Sequence, residues 1–169
     1  AALPNNGKAD QVMVNVGPGS FTGIRVGVAA AKALGLAWHV DVHGYGCLAL
    51  VAAMGRTQLA KPAPMDVVMT GGHGEYFFEA FDAQGHSRAP VRSVLPTDLF
   101  DLSTAAVVAG DIAPQRADHH WLDLLPDARH WIHLQATHLL AALDKVTDLD
   151  ARSPVRQMLL ECAAWYLAR

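Results

Sequence analysis

The residues best placed to do chemistry form one continuous run, Gly17-Pro18-Gly19-Ser20-Phe21-Thr22-Gly23-Ile24-Arg25-Val26-Gly27. Its chemistry would be anion binding. The backbone N–H groups of Gly19 to Phe21 would lie at the positive end of a following helix, with Gly17, Gly19 and Ser20 as the phosphate-facing loop. No Gly-Lys-Ser/Thr follows the loop, so it is not of the Walker type. The competing reading is that Gly17 and Gly19 simply permit a sharp strand-to-helix turn. We adopt that reading for catalysis and assign no catalytic residue.

Nine histidines invite a metal reading. His39 and His43 have HxxxH spacing, but they straddle a helix-to-strand junction, where that spacing does not converge two rings. His119 and His120 are adjacent and point different ways in any regular structure. Neither pair gains a carboxylate or cysteine that would complete a ligand set, so no metal site is assigned. Cys47 falls at the start of a short helix, where a thiolate is favoured, yet no local base or acid accompanies it. Trp121, Trp131 and Trp165 have no basic residues interleaved, which fits packing better than base stacking. Asp111 reads as the end of a strand that caps a turn.

The elements that must position the loop follow from pattern. Residues 12–16 are apolar on both faces, as in a central strand covered by helices. Ser20 is the expected N-cap of a helix over residues 24–36, its hydroxyl accepting a first-turn N–H. That helix is apolar on nearly three faces where one would suffice. Gly23, Gly27, Ala30, Ala31 and Leu34 recur at three- and four-residue spacings, giving a flat stripe with Arg25 and Lys32 on one narrow face. A second helix is expected on that stripe, from a partner molecule or from residues 47–54.

Further along, residues 40–45 read as a strand, 47–54 as a short helix and 56–65 as a linker. Residues 66–70 and 75–82 form a strand pair across Gly71-Gly72-His73-Gly74, and residues 82–85 a turn. A strand near residues 90–95, a short helix capped by Thr97 and a strand over residues 105–109 come next. Residues 128–145 read as a helix with Leu134, Leu139, Leu140 and Leu143 on one face, and Ser153-Pro154 as a helix start. Strands alternating with helices predict an α/β architecture.

Composition narrows the function. The chain has 169 residues, 51% apolar and 17% charged, which fits a globular protein. A formal charge of −3 with a pI near 6.3 disfavours a self-sufficient nucleic-acid binder. Cys47 and Cys162 lie far apart, as reduced thiols do. No apolar run approaches the roughly 18 residues of a membrane span, and no signal peptide is evident, so a cytoplasmic location is expected.

Residues 17–27 resemble the signature of the TsaB (YeaZ) family, of the actin-like, sugar-kinase-like ATPase superfamily. The resemblance continues in the alanine-rich residues 29–37, in His43-Gly44-Tyr45-Gly46-Cys47-Leu48-Ala49-Leu50, in Gly74-Glu75-Tyr76-Phe77, in Ala109-Gly110-Asp111 and, loosely, in Tyr166-Leu167-Ala168-Arg169. It is strong over residues 11–52, patchy to residue 112 and faint beyond. It implies an actin-like (ribonuclease H-like) fold in two lobes: residues 1–57 as the remainder of the first lobe, residues 58–169 as the second, with a C-terminal end that could return to the first. Because the chain begins Ala1-Ala2-Leu3-Pro4, the first lobe is expected to lack its N-terminal strands and the Asp-Thr-Ser element that faces nucleotide.

The resemblance also implies a role. TsaB-like proteins serve threonylcarbamoyladenosine synthesis on tRNA as non-catalytic partners of the transferase subunit TsaD, with the ATPase TsaE joining them. A partner interface on Phe21, Gly23, Ile24, Gly27, Ala30, Ala31 and Leu34 is therefore expected, with a homodimer when the chain is alone, tRNA reached only indirectly and no membrane. ATP or ADP is expected only at the complex or with the N-terminal strands. TsaD carries two metal-binding histidines at positions that fall near Cys47 and Val51, which cannot reproduce that site. In the turn Thr70-Gly71-Gly72-His73 the family's Asp and Arg are replaced. The alternatives are a nucleotide-binding ATPase or kinase-like enzyme using the glycine loop, and a peptidase-like protein, for which no triad is evident.

Overall fold

The computed structural model describes residues 7–113 and 118–135. The chain divides into two compact units, Ala1–Cys47 and Leu48–Arg169.

In the first unit, strand β1 (Val12–Asn15) leads through residues 16–20 into helix α1 (Phe21–Trp38) and back to strand β2 (Val42–Tyr45). The two strands pair in parallel, in register from Val12 opposite Val42 to Asn15 opposite Tyr45. A parallel return requires a crossover, and α1 supplies it. Ser20 caps α1 as expected, its Oγ accepting the Gly23 N–H at 3.3 Å. The helix starts three residues before the expected Ile24, because Ser20 leaves Phe21 as its first residue. It ends where His39 turns left-handed, φ 57°, and donates its N–H to the Gly35 carbonyl. Gly35 is buried because any Cβ there would run into the Val42 side chain. Its role is close approach of helix to strand.

In the second unit, five strands form one sheet in the order β5-β4-β3-β6-β7. They are β3 (Met65–Thr70), β4 (Tyr76–Phe81), β5 (Arg92–Val94), β6 (Val107–Gly110) and β7 (His120–Asp123). β4 runs antiparallel to both β3 and β5. β6 is parallel to β3 and to β7. Met65 to Met69 are buried throughout, as in a central strand covered on both faces, with Asp66 the one polar residue among them. Helix α2 (Cys47–Arg56) carries the fully buried Leu48, Leu50 and Val51. Gly55 lets it settle against Met65 and Leu122, since a Cβ there would lie 2.8 Å from the Met65 methyl. The units therefore divide before most of α2, whereas the sequence reading divides the lobes after it, in the proline-containing linker.

Helix α3 (Pro96–Leu102) packs Leu99 and Leu102 into a cluster with Val68, Phe78, Val94 and Val108. Its N-cap is Leu95, without a side-chain bond, which corrects the assignment to Thr97. Pro96 takes the first helical position, where its fixed φ suits the turn and its missing N–H leaves nothing unpaired. Thr97 therefore falls inside the helix, its hydroxyl donating to Asp98. Buried Asp66 on β3 fastens the connection from α3 to β6: its Oδ2 accepts the Ser103 hydroxyl at 3.1 Å and the Ala105 N–H at 2.9 Å.

Strand β7 has no counterpart among the sequence-derived elements. Only Leu122 of its four residues is buried, so it shows no apolar run. Residues 128–130 form a 3₁₀ turn and residues 131–135 are helical, with Leu134 buried. The rest of the expected 128–145 helix, Ser153-Pro154, Cys162 and Trp165 lie outside the described residues. Among the described residues no helix is long and apolar enough to cross a membrane.

Candidate functional site

The glycine loop is built around Gly17. This residue is buried at φ +107°, a conformation suited to glycine, and the Ile24 Cδ1 would lie 3.0 Å from any Cβ. Its N–H donates to Asn15 Oδ1 at 2.8 Å and its carbonyl accepts the Cys47 N–H at 2.8 Å. Both backbone groups of Gly17 thus serve the loop itself and the start of α2. Gly19 and Ser20 sit at the surface, but the Ser20 hydroxyl is engaged in capping. The glycine residues perform a strand-to-helix turn, and the loop's remaining polarity faces outward at the positive helix end.

Helix α1 presents two different faces. Ile24, Gly27, Val28, Ala31 and Gly35 are the more buried, spaced to meet the strands. A Cβ at Gly27 would stand 4.0 Å from the Val14 Cγ2, which places this residue over β1. On the other side Thr22, Gly23, Ala29, Ala30, Ala33 and Ala37 are exposed, together with Val26 at 64% and Leu36 at 77%. No charge interrupts that outer strip. Arg25 and Lys32 border it, and the Arg25 guanidinium lies 3.6 Å above the Phe21 ring, holding an exposed aromatic in place.

The seven residues expected at a partner interface therefore separate. Phe21, Gly23, Ala30 and Leu34 are exposed, while Ile24, Gly27 and Ala31 turn toward the strands. The exposed strip also carries Val26, Ala29, Ala33 and Leu36, which the sequence-derived set does not include. Counting three- and four-residue steps from the sheet-facing glycines, rather than grouping all small residues in one stripe, would have found them.

Cys47 is buried at the first position of α2, and Val51 one turn later has no exposed surface. Burial and the nearby Cys47 push the Tyr45 phenol above its ordinary value. His39 forms the α1 cap and His43 lies exposed on β2. His130 and His133 stack at 5.5 Å, and burial followed by the charge of His130 holds His133 below the usual imidazole range. Among the described residues no three metal-capable side chains gather.

At the other motif, Gly110 has φ +127° and any Cβ would collide with the Val68 carbonyl. Asp111 Oδ1 accepts the Thr70 N–H at 2.8 Å, tying the end of β6 to the end of β3. Trp121 Nε1 donates to the Gly110 carbonyl at 3.2 Å, a packing role for an indole that is still partly exposed. His73 stands exposed in the β3–β4 turn with φ 59°.

A parallel βαβ unit with a glycine turn, followed by a mixed five-stranded sheet, makes an α/β fold that solved structures share. YeaZ from Pseudomonas aeruginosa superposes with a TM-score of 0.61 at 23% identity, over 80% of this chain and 68% of that one. A second structure, of an uncharacterized protein with similarity to peptidase YeaZ from Pseudomonas aeruginosa, gives 0.60 at 22% identity, over 80% and 67%. An uncharacterized protein of Mycobacterium leprae (strain TN), ML0378, is 34% identical over 108 residues, 64% of this chain. The chain spans only 27% of that relative's length. Residues 5–97 match the family of TsaD, tRNA N6-adenosine threonylcarbamoyltransferase. The chain belongs to that family, and its fold is the one implied by the TsaB (YeaZ) resemblance.

Proposed function

We propose that the chain acts in threonylcarbamoyladenosine modification of tRNA as a TsaB-like, non-catalytic scaffold in the cytoplasm. It pairs with a TsaD-like catalytic subunit, joined by a TsaE-like ATPase, and forms a homodimer when alone. The observation that carries this reading is the outer face of α1. Small, uncharged side chains along Thr22, Val26, Ala29, Ala30, Ala33 and Ala37 let another backbone approach closely, while Arg25 and Lys32 set register at the border. Gly27, which faces β1, and the buried Ala31 support that helix from beneath.

Two further observations agree. Where the catalytic relative carries metal-binding histidines, this chain has a buried thiol and a buried valine. The net charge of −3 suits a protein that reaches tRNA through its partner. The test is to mix the protein with the TsaD-like subunit of the same organism and measure complex mass by light scattering, using Ala30→Leu as the interface variant. A heterodimer lost in Ala30→Leu is expected. Nucleotide hydrolysis by the protein alone, abolished by altering Gly19 and Ser20, would instead establish the ATPase or kinase-like alternative.

A further inference from the structure

We draw no further inference here: the strongest candidate, the acidic rim of Glu75, Asp111 and Asp123 where β3, β6 and β7 end, is a row of carboxylates that do not gather into one site, whose Asp111 already accepts the Thr70 N–H and whose Glu75 already accepts the Ser93 hydroxyl, and nothing in the structure points to a ligand there.

Discussion

Substitutions at two positions of one helix separate support from contact. Gly27 faces β1, with Val14 Cγ2 just within van der Waals range of a new Cβ at 4.0 Å. Gly27→Ala therefore fits without displacement, and removing a helical glycine should raise stability by up to about 1 kcal/mol. Gly27→Leu must push a branched side chain toward the strand, an overpacking that costs about 1–3 kcal/mol. Ala30 lies exposed on the outer face. Ala30→Leu should change stability by no more than about 0.5 kcal/mol. At a close-packed helix contact the same side chain holds the partner away, and at least about tenfold weaker association is expected, equivalent to about 1.4 kcal/mol. Urea denaturation reads the first quantity and light scattering over a dilution series the second. If Ala30→Leu binds the TsaD-like subunit as tightly as the native chain does, the outer face of α1 is not the docking surface. If Gly27→Ala lowers stability, the assignment of that residue to the sheet side fails.

Three other perturbations probe the second unit. Gly110→Ala should cost at least about 2 kcal/mol in urea denaturation, combining a disfavoured positive φ with a clash against backbone that cannot move aside; a cost below that of an ordinary surface change would show that the β6 end relaxes freely. Asp66→Ala should cost about 3 kcal/mol, since it orphans the Ser103 hydroxyl and the Ala105 N–H; Asp66→Asn, which keeps an acceptor, should cost less, and equal losses would locate the effect in charge rather than bonding. At Asp82, burial pushes the carboxyl up but is outweighed by bonds from the His86 N–H and ring and the Gln84 N–H, so its pKa lies below 3.8. The stability it adds is complete above that value and fades as pH falls through the lowered one, so Asp82→Asn should flatten the acid side of a pH–stability profile between the two; an unchanged profile would remove Asp82 as the source.

How much of this could be read beforehand depended on whether a residue's signal was local. The strand before Gly17, the Ser20 cap and the hairpin across residues 71–74 each follow from neighbours in sequence, and all were legible. Strand β7 was not. His120, Trp121 and Asp123 look nothing like a buried strand, because β7 exists through pairing with β6, the strand before it, and contributes one buried side chain, Leu122. The Asp66 bonds were equally hidden, since an acidic residue in an apolar strand names neither Ser103 nor Ala105 as its partner. The faces of α1 were half legible. The small residues announced close packing, but only the position of β1 shows which of them the protein uses for itself.

That division bears on how one fold can serve two roles. The resemblance implies that a catalytic relative carries two metal-binding histidines just after the second strand, at positions near residues 47 and 51. Here the same stretch begins α2, with Cys47 and Val51 both buried and the Cys47 N–H held by the Gly17 carbonyl. That bond is made by the backbone, so it holds the glycine loop to the start of α2 whatever side chain stands at residue 47. An interface of small, uncharged residues gains its energy from fit rather than from long flexible contacts. The buried side chains at residues 47 and 51 and the uncharged outer face of α1 each agree with the proposed scaffold, whose contribution would be to hold a catalytic partner in place.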